Sequence, residues 1–387
     1  MIKRLVILSK EYPTEDDPIY SFVDQAARGF ADEFVEVHVI APQSLTRRLM
    51  NRKPILPRMQ RERTENGVSF AVHRPLTLSF SDGKEMGIDW AMWTYRWFKW
   101  AVERTLRRIE RPDALYGHFV ALSGMCAAEL GEALGIPSFL GYGESSPALY
   151  GQYSKEALQA AFKGLRGVVA VSTENARELR EQGIVGDAAR YGVFPNAVNV
   201  ARFHPMDRIG ARAALGYDED AFIVAFVGGF IERKGVGVLS EALKRLPGVQ
   251  SVFIGKGPMV PDCEGILHGG PLPNAEVPVA LAASDAFVLP TLAEGCCNAI
   301  VEALSMGLPV ISSALPFNDD ILNEENSLRI DPKDVEALAG AIAALRDDEA
   351  LRWRLSEGAL AKGKELEMPQ RVKAILGFMA ECIEGRQ

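Results

Sequence analysis

Long apolar runs are absent: nowhere does the chain approach the roughly 18 uninterrupted residues that a membrane-crossing helix needs. The opening MIKRLVILSKEYP holds an apolar stretch too short for a signal peptide, and it reads as a first strand. Cysteine is scarce. Five thiols in 387 residues, odd in number, do not make a disulfide framework and suit a reducing cytoplasm. Basic charge is in deficit, 43 Lys and Arg against 51 Asp and Glu, giving a net charge of −8 and a pI near 5.4. Such a chain repels polyphosphates, and no nucleic-acid partner is expected. Internal repeats and low-complexity segments are missing too. So is a Gly-x-Gly-x-x-Gly turn after the first strand, where Ser9-Lys10-Glu11-Tyr12-Pro13 stands, which sets aside a dinucleotide-dependent dehydrogenase.

What is present is ordinary globular composition, 48% apolar and 24% charged, with length for two domains at roughly 150 residues each. Short Val-, Ile- and Phe-rich runs alternate with amphipathic stretches of helical length, the pattern of parallel βα units. Strands are expected at 4–8, 35–40, 68–73, 114–118, 137–141 and 168–172, then at 222–227, 251–254, 266–268, 286–290 and 309–312. Helical spacing marks 21–34, 123–134, 236–246 and 335–345, and 370–383 reads as a last helix. The fold class is α/β, two doubly wound Rossmann-like domains facing a central cleft. The first covers 1–198 and the second 199–368. Residues 369–387 are a C-terminal helix expected to pack back on the first domain. The FPNAVNVARFHP stretch around the boundary breaks the periodicity.

In such sheets ligands bind beyond the carboxyl ends of the strands. PTLAEGCCNAIVEALSMGLPVISS runs from a strand end through a loop into a helix beginning near Cys296 or Cys297. The free N–H groups and positive dipole end of that helix make a site for phosphate or diphosphate. Glu294 stands just before the helix and Glu302 inside it. Carboxylates beside an anion site accept from hydroxyls, and a molecule with hydroxyls on both sides of a diphosphate is a nucleotide-sugar. On spacing alone, an acidic N-terminal residue and a surface Glu explain the pair as well. Cys296 and Cys297 are read as small residues in a tight turn, since a zinc site would need two further ligands. Asp218-Glu219-Asp220 is read as a solvated turn, and no metal is expected.

Glu294 and Glu302, with EG…EA and GLPVISS around them, resemble the Glu-x7-Glu motif of the retaining glycosyltransferases of the group 1, or family 4, type, which have GT-B architecture. FVGGFIERKG (226–235), FIGKGP (253–258), HGGPLPNAEVP (268–278) and AASDAFVLPT (282–291) follow the family's order. EYP, SFVDQAA, VHVIAP, LYGHF, LGIP, VVAVS and FPNAVN match more loosely in the first half. The resemblance implies that Glu294 contacts the donor sugar, Glu302 the ribose, and Lys234 the diphosphate as the leaving group gains charge. It places Gly228, Gly229, Arg233, Gly295 and Cys297 in the donor site, the backbone of Asn298 and Ala299 on the phosphates, and Gly270 and Leu272 by the base. His118 would face sugar and acceptor. The sequence departs from the family at three points: Gly229 where an Arg is usual, Cys297 where a Gly is common, and Tyr20 in place of an N-terminal glycine.

Residues 41–111 hold 15 Lys and Arg against 7 Asp and Glu, so they are strongly basic inside an acidic chain. Between 47 and 63 lie seven basic residues, Arg47 and Arg48 among them, with Glu62 the only acid. Trp90, Trp93, Trp97 and Trp100 follow at i, i+3, i+7, i+10. A core face and a solvated charged loop are the ordinary readings. The other is a surface for an acceptor or for the anionic inner face of a membrane. The resulting expectation is a cytoplasmic, retaining, metal-independent hexosyltransferase with no cofactor. It would use a UDP- or GDP-sugar on a glycan or lipid-linked saccharide in cell-surface polysaccharide or glycolipid synthesis. An epimerase or hydrolase on the same fold, and a non-catalytic sugar-nucleotide-binding subunit, stand as alternatives.

Overall fold

The computed structural model describes residues 2–14, 20–33, 35–80, 84–85 and 88–385. They divide into two compact units, one of residues 1–194 with 371–387, the other of residues 195–370.

In the first unit an eight-stranded sheet runs Arg190–Val193, Gly167–Ala170, Ser138–Tyr142, Ala114–His118, Arg4–Leu8, Glu36–Ile40, Ser69–His73 and Met59–Arg63 from edge to edge. All neighbours pair in parallel except the last two. The inner strands RLVIL, ALYGH and SFLGY are almost wholly buried, as sheets covered by helices on both faces must be. Each Leu, Ile or Phe buried there contributes about 1.5–3 kcal/mol. Chain order reverses between Arg4–Leu8 and Ala114–His118. The crevice at that topological switch point therefore opens beyond Leu8 and His118. Phe378, on the last helix Met368–Glu384, packs against Phe194 of this unit at 5.5 Å between ring centroids.

The second unit holds a six-stranded parallel sheet in the order Ile266–Gly270, Val249–Ile254, Phe222–Val227, Ala286–Leu289, Val310–Ser313 and Ser327–Ile330. Phe226, Phe253 and Phe287 are fully buried at its centre. Its switch point lies between Phe222–Val227 and Ala286–Leu289, so the segments after Val227 and after Leu289 share one crevice.

Within the two large sheets three strands were not anticipated, Met59–Arg63, Arg190–Val193 and Ser327–Ile330. All three are sheet edges. The first is exposed along almost its whole length and pairs with Ser69–His73 on one side, with Arg28 and Arg74 bonding to it from their side chains. The 47–63 stretch is thus not a solvated loop; it contains the short helix Leu45–Met50 and this edge strand.

Candidate functional site

Beyond Val227 the chain turns through Gly228 and Gly229 into a short 3-10 turn, Glu232–Lys234. Gly235, at φ +74°, then starts the helix Val236–Leu243. A Cβ at Gly235 would overlap the carbonyl of Pro290, so only glycine lets the two crevice segments approach this closely. Thr291 cements them: its hydroxyl donates to the Arg233 carbonyl at 3.1 Å, and Leu292 N–H donates to the same oxygen at 2.8 Å. The result brings Lys234, Arg233 and Glu294 together. Lys234 Nζ donates to Glu294 Oε1, and Arg233 reaches the same oxygen at 3.0 Å and the carbonyl of Ala293. Thr291 Oγ1 is 3.0 Å from that oxygen as well. Lys234 and Glu294 are 15% and 11% exposed, so the pair is strengthened by partial desolvation. The Arg233 side chain thus points into this cluster.

The helix Asn298–Ser305 begins as expected, with Cys297 at its N-cap position and no side-chain cap. Cys297 is buried, which raises its thiol pKa, and it fills the turn as a small apolar residue. Asn196 braces the entry. Its Nδ2 donates to Cys296 O at 2.9 Å and to Asn298 Oδ1 at 2.8 Å. Glu302 lies on this helix, and burial pushes its carboxyl up to about 7, with Arg202 opposing the shift. Gly270 closes the strand Ile266–Gly270, and its carbonyl accepts from Gly255 N–H at 2.9 Å and from His268 Nε2 at 3.0 Å. Leu272, just beyond, packs against the core of this unit. Gly228, Gly229, Lys234, Gly270 and Glu294 therefore all lie at the carboxyl edge of one sheet.

His118 belongs to the other unit, at the end of the strand Ala114–His118. It is 9% exposed, and its Nε2 has no hydrogen-bond partner among the described residues. Burial, assisted by the Arg371 guanidinium, holds its pKa down at about 3, so the imidazole is neutral near pH 7. Rings surround it: Tyr116 at 4.8 Å, Phe22 at 5.7 Å and Phe119 at 6.4 Å between centroids. Tyr20, at the N-cap of the helix Ser21–Asp32, stacks on Phe22 at 5.5 Å, and burial raises its phenol to about 12. After His118 the backbone is strained, with Phe119 at φ +68° and Leu122 at φ +57°. Buried Glu144 holds this turn, accepting Val120 N–H at 2.6 Å and Gly143 N–H at 3.3 Å, and burial raises its carboxyl to about 7. Sequence reasoning missed Glu144, Thr291 and Asn196. Thr291 and Asn196 lie inside the quoted AASDAFVLPT and FPNAVN, whereas Glu144 lies outside every quoted motif.

The tryptophans correct the core-face expectation. The helix Trp90–Leu106 turns Ala91, Thr94, Tyr95, Phe98 and Val102 inward and leaves Trp93 and Trp100 exposed, with Trp97 partly buried beside Trp100. Arg47 approaches Glu11 at 4.0 Å, and Arg48 donates to Pro54 O. Among the described residues no helix is long and apolar enough to cross a membrane, and no group of three or more His, Cys, Asp or Glu is placed to hold a metal ion.

Comparison with known proteins bears on the whole chain. The family model described as glycosyl transferases group 1 matches residues 221–348, and that of a glycosyl transferase 4-like domain matches residues 21–197. TuaC of Bacillus subtilis (strain 168), a glycosyltransferase assigned to teichuronic acid biosynthesis, is 31% identical over 268 residues, covering 68% of each chain. An Escherichia coli UDP-Gal:alpha-D-GlcNAc-diphosphoundecaprenol alpha-1,3-galactosyltransferase is 30% identical over 186 residues, 43% of this chain and 47% of that one. The crystal structure of Anabaena Alr3699/HepE in complex with UDP superposes with a TM-score of 0.72 at 15% identity, covering 98% of this chain and 100% of the other.

Proposed function

Because the chain belongs to the group 1 glycosyltransferases of GT-B architecture, we propose that it transfers a sugar with retention from a UDP- or GDP-sugar to a glycan or lipid-linked saccharide, without a metal. The observation that carries this reading is the convergence of Lys234, Arg233 and Thr291 on Glu294 at the switch point of the second unit. Two cations fixed beside a strand end suit a diphosphate whose charge grows as the glycosidic bond breaks. A carboxylate whose Oε1 is held by Lys234 and Arg233 keeps its remaining acceptor capacity for sugar hydroxyls. Glu302, on the helix that offers its N-terminus to phosphate, takes the ribose hydroxyls.

In the reaction the acceptor oxygen bonds to the anomeric carbon on the face that the diphosphate leaves, the carbon–oxygen bond to phosphate breaks, and the departing phosphate oxygen takes the acceptor's proton. No enzymic nucleophile enters. His118, neutral and with Nε2 unpartnered, is suited to bind a sugar hydroxyl rather than to act as an acid. A lipid-diphosphate acceptor is supported by the name of the Escherichia coli relative, and polysaccharide synthesis by that of TuaC. Such an acceptor places the enzyme at the cytoplasmic face of a membrane.

The test is a thermal-shift panel of UDP-, GDP-, ADP- and CMP-sugars in EDTA. A donor at about 100 times its dissociation constant adds about 2.7 kcal/mol, several degrees in Tm. A shift with the UDP or GDP series in EDTA is expected. The absence of any shift, together with no transfer after metal is restored, would overturn the donor site. Product analysis without acceptor separates transfer from epimerisation and hydrolysis.

A further inference from the structure

Helix Trp90–Leu106 has two apolar stripes, and only one is used for packing. Tyr95 and Phe98 supply the core, while Trp93 and Trp100 stand 45% and 47% exposed on the other side. The guanidinium of Arg96 lies over the Trp93 ring at 5.5 Å and that of Arg104 over Trp100 at 5.4 Å. Cation and indole thus alternate along an outward face. A second element repeats the composition: Leu49 and Met50, ending the helix Leu45–Met50, are 67% and 82% exposed, in a stretch with seven basic residues and one acid.

The two elements are tied through residues 76–80. Thr46 Oγ1 donates to Ser79 O at 2.7 Å, and the strand Gln43–Ser44 pairs with Leu76–Thr77. Phe80 N–H donates to Thr94 Oγ1 at 2.9 Å, and its ring packs on Trp90 at 5.3 Å. The basic helix and the Trp helix are therefore anchored to one short segment. The Gln43 side chain further pins Leu56 and Arg74.

We propose that this face of the first unit docks on an anionic phospholipid surface. Indoles favour the headgroup layer, where an apolar ring meets a wet boundary, and exposed Leu and Met reach the acyl chains. Arginines beside those indoles meet lipid phosphates, and their attraction falls with salt. Charge complementarity selects this occupant: residues 41–111 carry 15 basic and 7 acidic groups in a chain of net −8, so the patch is a local exception that an anionic surface would orient. The purpose of docking rests on the lipid-linked acceptor proposed above, but binding is read without donor or acceptor, so the two ideas fail separately.

The experiment is flotation of the full chain with vesicles of phosphatidylcholine alone and of phosphatidylcholine with an equal part of phosphatidylglycerol. About tenfold greater recovery with the anionic vesicles is expected, lost at high salt, with a blue shift of tryptophan emission that persists in Trp353→Phe. Trp93→Ala with Trp100→Ala, and separately Arg47→Glu with Arg48→Glu, should each remove most of the binding at an unchanged circular-dichroism melt. Equal recovery with both vesicles, no recovery, or full binding by the folded tryptophan variant would overturn the proposal. So would a concentration-dependent dimer abolished by the same tryptophan changes, which would make a second copy the occupant.

Discussion

At the switch point of the second unit, two cations and a hydroxyl converge on the single carboxylate of Glu294. At that of the first, His118 sits among Tyr116, Phe22 and Phe119, its Nε2 without a hydrogen-bond partner among the described residues. Both sheets, one of eight strands with an antiparallel edge and one of six parallel strands, reverse their order beside their first strand and open a crevice there. What differs is the dielectric work. The second unit keeps its charges paired, with Lys234 and Glu294 largely withdrawn from water. The first removes charge, holding His118 neutral and lifting Glu144 to about 7. Under the proposed function, the charged site would compensate a leaving group and the neutral one would bind hydroxyls without competing for protons.

Breaking the charged half should have the largest effect. Lys234→Ala and Glu294→Gln are each expected to lower kcat by at least about tenfold, and Lys234→Ala by up to about a thousandfold, since transition-state charge is what the ammonium meets. Folding should survive, because neither side chain belongs to the buried core. Near-normal transfer by both variants, measured with the donor found in the thermal-shift panel, would show that the cluster only ties the two segments together.

The strands that create both crevices were legible because they are buried on both faces and read as apolar runs; 114–118 and 222–227 match their sequence bounds. The edge strands MQRER, RYGV and SLRI were not, because an edge draws little on burial and leaves no apolar period. The tryptophans show a different limit. Their spacing gives one helical stripe, but Ala91, Tyr95, Phe98 and Val102 give another, and which stripe meets the core is decided by packing. Lys234 and Glu294 could be found as residues just past strand ends inside a family motif. Glu144 could not: a single carboxylate after a strand has no period, and its role comes from a strained turn many residues away.

The neutral half can be probed through Glu144. Its carboxyl is raised from an ordinary 4.5 to about 7, mainly by burial; Glu178, reached through Tyr142, adds to the rise, and the Val120 and Gly143 N–H groups oppose it. Between these values the native chain holds a proton that the unfolded chain has released, so stability falls as pH rises through the window and is level above it. Glu144→Gln keeps an oxygen for Val120 N–H and cannot ionise. Relative to this variant, the wild-type chain should lose about 2–3 kcal/mol between about pH 5 and about pH 8. His118 and Glu302 titrate in both proteins and cancel in the difference. Parallel denaturation curves at the two pH values, with no change in the gap, would mean that Glu144 is ionised throughout and that the first crevice is not kept neutral.

The smallest effect should sharpen the charged half rather than break it. Gly229 stands where the family resemblance implies an arginine, and a Cβ there would meet Ile231 at 3.7 Å and the Lys256 carbonyl at 4.0 Å, ordinary contacts. Its φ lies outside the left-handed region, so a side chain is accommodated without backbone strain. Arg233 already directs its guanidinium to Glu294 Oε1 and Ala293 O, which places a second cation beside Lys234 by a different route. If that route suffices, Gly229→Arg adds a third cation to a site already compensated. Donor affinity should then improve only about two- to fivefold, worth about 0.4–1 kcal/mol. A gain of a hundredfold or more in kcat would instead show that Arg233 is committed to holding the Glu294 loop, and that Lys234 alone faces the donor.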